Sequence, residues 1–119
     1  MRIFIAGPYG DHNTQKVIDQ NVRNADSIGR VLTALGHFVF VPHKMSRGWE
    51  KDSRIPREQC LELDKSFLKY WAEGLFRLSG HSPGADGEEA YARELGLPIF
   101  RVISDTESYP KSWSSGGNL

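Results

Sequence analysis

A chain of 119 residues has the length of one domain and can bury a core without disulfides or metals. Its residues are 39% hydrophobic and 25% charged, as in a soluble globule, and 15 Lys and Arg balance 15 Asp and Glu, so charge gives no basis for binding nucleic acid or a membrane surface. Cys60 is the single cysteine, which excludes an internal disulfide and fits a cytoplasmic protein.

The apolar start, Met1 to Gly7, is too short for a signal peptide or a membrane span and reads as a buried strand ending at Gly7-Pro8. Gly10 to Thr14 is polar and turn-like. From Gln15 to Leu35, Val17, Ile18, Val22, Ala25, Ile28, Val31, Leu32 and Leu35 recur at steps of three and four, which predicts a helix, with Gly36 as its C-terminal stop. His37 to Val41 is a second strand closed by Pro42, and Lys44 to Arg54 a polar loop containing Trp49. A helix from Pro56 to about Ala72 carries Cys60, Leu61, Leu63, Phe67, Leu68 and Trp71. Gly74 to Leu78 is a third strand, Ser79 to Gly87 a glycine-rich loop, Glu88 to Leu95 a short helix stopped by Gly96, and Pro98 to Ile103 a fourth strand. Asp105 to Leu119 has no periodicity and reads as a tail.

Strands alternate with helices over short connections. That order predicts an α/β fold, a parallel sheet of four to five strands with helices on both faces. In such sheets ligands bind at the carboxyl ends of the strands, beside the switch point. The loop after the first strand, the Asp64 helix and the loop before Glu88 converge there.

Gly7, Pro8, Tyr9 and Gly10 form a loop able to present backbone N–H groups to a phosphate, or simply a tight turn. It lacks the nucleotide-loop lysine and the G-x-G-x-x-G spacing. Glu88 follows a run of small and turn-forming residues; a carboxylate at a helix start also complements the helix dipole, as Asp86 and Glu89 do. Asp64 is an unfavourable residue for a helix interior, and either points to solvent or faces a ligand. Cys60 reads as core. None of His12, His37, His43 and His81 stands at metal-ligand spacing from another, so no metal or organic cofactor is expected, although His43 at a strand end could line a pocket. Trp49, Tyr70 and Trp71 read as core or as platforms for a base.

These parts resemble the nucleoside 2-deoxyribosyltransferase superfamily, which includes nucleoside 5'-monophosphate N-hydrolases and CMP-type N-glycosidases. The resemblance spans residues 1 to about 103. It rests on Gly7-Pro8-Tyr9 after a strand, on Gly36-His37 leading to Val41-Pro42-His43, on Asp64, and on Ser82-x-Gly84-x-x-x-Glu88-x-x-x-Ala92 followed by Gly96-x-Pro98-Ile99. In that family the nucleophilic glutamate follows a Ser or Asp by six residues and a Gly by four; Glu88 satisfies both counts and Glu89 neither. The family's active-site aspartate precedes the glutamate by about two dozen residues, and Asp64 stands twenty-four before Glu88.

The resemblance implies a flavodoxin- or Rossmann-like fold, a catalytic domain over residues 1–104, and the tail 105–119 completing a neighbouring subunit's site in a homodimer or larger homo-oligomer, with Ser112 and Asn118 as candidates. It implies Glu88 as nucleophile and Asp64 as the residue that contacts the base or relays its proton. Substrate contacts would come from Phe4, Gly7, Pro8, Tyr9, Gly10, His43, Ser82 and Gly84. The residue six before the nucleophile separates the branches: an aspartate meets a free 5'-hydroxyl in the transferases, whereas a serine, here Ser82, admits a 5'-phosphate. Phe4 stands where many deoxy-specific members have Tyr, which opens the site to a ribonucleotide such as CMP. The expected activity is hydrolysis of the base–sugar bond of a (deoxy)ribonucleoside 5'-monophosphate. The alternatives are base exchange between deoxynucleosides and a non-catalytic nucleotide-binding module.

Overall fold

The structure is a computed structural model that describes residues 1–10 and 14–102. Strand β1 (Arg2–Ala6) leads to helix α1 (Gln15–Ala34) and strand β2 (Phe38–Phe40). A short helix α2 (Pro42–Met45), a 3-10 turn (Trp49–Lys51) and helix α3 (Arg57–Tyr70) follow. Strand β3 (Gly74–Arg77), helix α4 (Pro83–Glu94) and strand β4 (Ile99–Arg101) complete the described chain.

The four strands form one parallel sheet in the order β2-β1-β3-β4. Side chains alternate across it, so the register sorts the core into two halves. Ile3, Ile5, Phe76 and Phe100 face Ala25, Ile28 and Leu32 of α1. Phe4, Ala6 and Leu75 face Leu68 of α3 and Ala85 and Ala92 of α4. Both faces are covered, which is why the central strands read as unbroken apolar runs. Each fully buried Ile, Leu or Phe contributes about 1.5–3 kcal/mol of transfer free energy.

The chain passes from β1 to β2 through α1 on one face and from β2 to β3 through α3 on the other. The switch point is therefore the crevice between the carboxyl ends of β1 and β3. Glycines end the two helices as the sequence predicts: Gly36 and Gly96 take φ of +95° and +78°, and His37 and Leu97 donate backbone N–H groups to Leu32 and Ala92 at 3.1 and 2.9 Å.

Two stretches differ from expectation. The predicted Lys44–Arg54 loop is flanked by α2 and contains the 3-10 turn, because Pro42 presets the first helical φ and Gly48, at φ +85°, supplies a left-handed break between them. The predicted start of the last helix at Glu88 is five residues late, since α4 begins at Pro83. Pro83-Gly84, read as a loop, is instead a first helical turn, with proline where its missing N–H is not needed and the Ser82 hydroxyl accepting from Ala85 N–H at 3.1 Å. Ser112 and Asn118, with the whole proposed tail, lie outside the described residues, as do His12 and Ile103. No described helix is long and apolar enough to cross a membrane.

Candidate active site

The early start of α4 determines where its carboxylates point. Ser82 is the N-cap, so Glu88 falls in the second turn of the helix. Asp64 falls in the second turn of α3, which packs beside α4 on the same face of the sheet. Their carboxyl groups are within hydrogen-bonding reach of each other.

Two acids so close cannot both be ionised cheaply. Burial, then the Asp64 charge, then the hydrogen bond from Asp64 push Glu88 well above the usual carboxylate range, and Arg77 opposes them. Burial also raises Asp64, while the bond to Glu88 lowers it. The pair titrates as a unit and shares one proton above the pH at which exposed carboxylates have lost theirs. A carboxylate and a carboxylic acid held side by side can supply a nucleophile and a proton donor to one bond. Cys60, one turn before Asp64, is half-buried, and burial followed by the Asp64 and Glu50 charges raises its thiol, so it holds its proton.

The neighbouring carboxylate behaves oppositely. Glu89 accepts from Arg93 and Arg101 at 3.0 and 2.7 Å and lies 3.8 Å from Nε of Arg77. Burial alone would raise Glu89, but Arg93 and Arg101 outweigh it and the net shift is downward. Arg77, the last residue of β3, is only 8% exposed. Its Nη2 donates to the Gly80 carbonyl and to Asp86, each at 3.0 Å, while Nη1 is buried with no partner among the described residues.

The first and third strands bring their loops together above this pair of helices. A Cβ on Gly7 would lie 2.7 Å from Cβ of Leu78, so only glycine fits that crossing. Gly80, at φ +117°, packs against Pro8, where a Cβ would approach Pro8 Cγ to 2.9 Å. His43 Nε2 donates to the carbonyls of Gly7 and Pro8, both at 3.1 Å, and Asn21 donates to the Tyr9 carbonyl at 2.8 Å. The Tyr9 hydroxyl donates to Glu50 at 3.1 Å and accepts from Gly48 N–H at 3.1 Å, which ties the loop to the 3-10 turn. On α4, a Cβ at Gly84 or at Gly87 would meet no described atom within 4 Å, so the helix surface beside Glu88 is open. A separate shallow depression between α1 and β2, lined by Val39, Val41 and Asp26, has its one carboxylate already paired with Arg30 and Lys44 at 2.7 Å each.

No protein-family model matches the chain, and no characterised protein matches it by sequence. Among solved structures, a 2-deoxyribosyltransferase from Bacillus psychrosaccharolyticus superposes with a TM-score of 0.66 at 20% identity, over 97% of this chain and 82% of that one. This chain has the fold of that 2-deoxyribosyltransferase.

On this deoxyribosyltransferase fold, Asp64 and Glu88 approach each other, Gly84 stands one turn before Glu88 on α4, and Ser82 caps the start of that helix. Gly7, Pro8, Tyr9 and Gly10 form the half-buried loop at the end of β1. Two expected substrate contacts are enclosed by the chain's own residues. Phe4 is 0% exposed and tilted against Phe40 at 5.6 Å in the core. His43 is 5% exposed, with Nε2 committed to Gly7 and Pro8 and Nδ1 buried, so it shapes the β1 loop from beneath. Trp71 packs edge-on to Phe40 and Phe67, which stack at 3.8 Å, and is core-lining, while Tyr70 is exposed at the far end of α3. Arg77 and Glu50 were not anticipated. A cation inside the apolar run Leu75-Phe76-Arg77-Leu78 is the signal for Arg77, since a charge in a buried strand requires partners. Among the described residues no cluster of three or more His, Cys, Asp or Glu could hold a metal ion.

Proposed function

We propose that this chain cleaves the N-glycosidic bond of a nucleoside 5'-monophosphate, with Glu88 as nucleophile and Asp64 as proton donor. The observation that carries this reading is the close approach of the Asp64 and Glu88 carboxyl groups, each pushed up by burial, at the open flank of α4. Breaking the bond between C1' and the base nitrogen builds positive charge on the sugar, which an adjacent carboxylate stabilises. The Glu88 carboxylate bonds to C1' as the C1'–N pair of electrons leaves with the base, and the base nitrogen takes the proton of Asp64. Asp64, now a carboxylate, accepts a proton from water, whose oxygen attacks C1' and releases Glu88 and the sugar phosphate.

Ser82 supports the phosphate. Its oxygen accepts from Ala85 N–H, which leaves its own proton free to donate to an anion, and the first turn of α4 adds the helix-dipole field. Base exchange is the second reading, favoured by the likeness in fold to a 2-deoxyribosyltransferase; there another base replaces water in the second step. Association into at least a dimer belongs to the same proposal, because the flank beside Gly84 and Gly87 is uncovered.

The test is incubation with CMP, dCMP, dGMP and free deoxynucleosides, with and without an acceptor base, with separation of the products. Release of free base from a monophosphate without an acceptor is the expected result. Sugar transfer from a deoxynucleoside to the added base would replace hydrolysis by the second reading. Binding of nucleotides with no release of base would leave a binding module.

A further inference from the structure

Between β2 and α3 the chain changes face. Lys44 and Arg47 still pair with Asp26 and Asp19 of α1, the first pair at 2.7 Å, whereas α3 lies on the opposite side of the sheet. Residues 48–56 therefore cross from one face to the other. They cross at the carboxyl end of β1 and not around the outer edge of β2, because Tyr9, three residues past β1, holds them there. Its hydroxyl accepts from the Gly48 N–H at 3.1 Å and donates to the Glu50 carboxylate, whose oxygens stand at 3.1 and 3.2 Å. The crossing thus runs along the switch-point crevice, where ligands bind in sheets of this kind.

Glu50 stands out for its partner. Arg47 and Lys51 flank it in sequence, yet among the described residues no cation pairs with it, and a neutral phenol holds it instead. The phenol fills one of about four lone-pair sites on a carboxylate. The others are open, since Glu50 is exposed and its 3-10 turn has no buried residue. Burial, then the Asp64 charge, then the Glu50 charge raise the Cys60 thiol, in keeping with Glu50 lying on the Asp64 side of the crossing. A fixed negative charge repels a phosphate and attracts a neutral donor. We propose that Glu50 is a specificity-determining residue of the site and that Tyr9 positions it, the carboxylate accepting a hydrogen bond from a neutral donor on the substrate, either the ribose 2'-hydroxyl or the amino group of the base. This rests on the reading of the substrate as a nucleotide.

The experiment compares the unmodified protein with Glu50→Ala and Tyr9→Phe on CMP, dCMP, UMP and dUMP, which vary the 2'-hydroxyl and the base amino group independently. Two quantities are measured: kcat/KM, and Kd by calorimetry with each change set in a Glu88→Gln protein. In Glu50→Ala, a loss of about tenfold or more confined to CMP and UMP assigns the 2'-hydroxyl, and one confined to CMP and dCMP assigns the amino group, as removal of one hydrogen bond to a charged group requires. Tyr9→Phe should show the same pattern with a smaller loss, because Glu50 is then present but no longer held. An equal loss on all four nucleotides, or no loss on any, would show a structural tie only and overturn the proposal. If Glu50→Ala fails to fold, Tyr9→Phe decides by the same criterion. The calorimetry needs no turnover. A selective loss of binding in a protein that releases no base refutes the functional reading and keeps Glu50, whereas release of base that both variants leave unselective does the reverse.

Discussion

Glu88 and Glu89 are neighbours on one helix, with the same side chain and opposite surroundings. Glu88 faces another acid across the α3–α4 contact and is driven up. Glu89 meets Arg77 of β3, Arg101 of β4 and Arg93 one turn along its own helix, and is driven down. Adjacent positions on a helix are turned about 100° apart, so one residue step exchanges a reactive environment for a structural one. The contrast is broken most directly by exchanging the amides. Glu88→Gln should lower kcat/KM by about a thousandfold or more, since the nucleophile is gone while the side-chain shape is kept. Glu89→Gln should retain most of the turnover. Parallel assays on the two proteins check this, and a dead Glu89→Gln with an active Glu88→Gln would reverse the assignment.

Asp64 sharpens the same comparison from the other side of the contact. An asparagine in its place would keep a hydrogen bond to Glu88 but has no proton to give a leaving base. Asp64→Asn should lower kcat by about a hundredfold or more, and less for substrates whose bases leave easily. A linear series of leaving groups measures this; an equal loss across the series would leave Asp64 only a positioning role.

The two flanks were not equally legible in the sequence. The order of strands and helices was, because buried parallel strands are short apolar runs and amphipathic helices recur at steps of three and four. The Gly36 and Gly96 stops were as well, since each requires a positive φ. The Asp64–Glu88 pair was singled out by a spacing resemblance, not by local pattern. The start of α4 was missed because Pro-Gly is a loop signal unless a serine cap precedes it. The enclosure of Phe4 and His43 was not legible, because their sequence positions, on β1 and after β2, say nothing of which way the side chain turns or what encloses it. Arg77 was hidden because its partners, Gly80, Asp86 and Glu89, are gathered only when α4 folds back over β3.

Stability should separate the two glutamates with opposite sign. Glu89 has a folded pKa below its ordinary 4.5, so it contributes stability that is fully present above that value and is lost as pH falls through the folded value. Glu89→Gln should therefore destabilise the protein by about 1–3 kcal/mol at neutral pH, as charged partners are left without their acceptor, and the difference should shrink in acid. Glu88 has a folded pKa above its ordinary 4.5, so the folded state binds its proton more tightly and stability falls as pH rises from 4.5 through the raised value. Glu88→Gln removes that penalty and should be more stable than the unmodified protein at neutral pH, a common trait of reactive groups. Urea unfolding at acid and neutral pH measures both, and equal signs for the two variants at neutral pH would contradict the contrast.

The smallest expected effect tests the helix end that carries both glutamates. Ser82 has two separable tasks, capping α4 through its bond with Ala85 N–H and donating to a 5'-phosphate. Ser82→Ala removes both and should cost about 1 kcal/mol of stability, the usual loss of an N-cap. Ser82→Asp keeps the cap, because aspartate accepts the same N–H equally well, but sets a negative charge where the phosphate is proposed to sit. Its stability should match that of the unmodified protein while kcat/KM for a monophosphate falls by about tenfold, the loss of roughly one charge-assisted hydrogen bond. Cleavage of the matching nucleoside, which brings no charge to that position, should be unchanged or improved. The ratio of kcat/KM for nucleotide and nucleoside, measured on both proteins, isolates the phosphate from the fold. An unchanged ratio in Ser82→Asp would leave Ser82 as a cap alone and move the phosphate, or the preference for it, away from the start of α4.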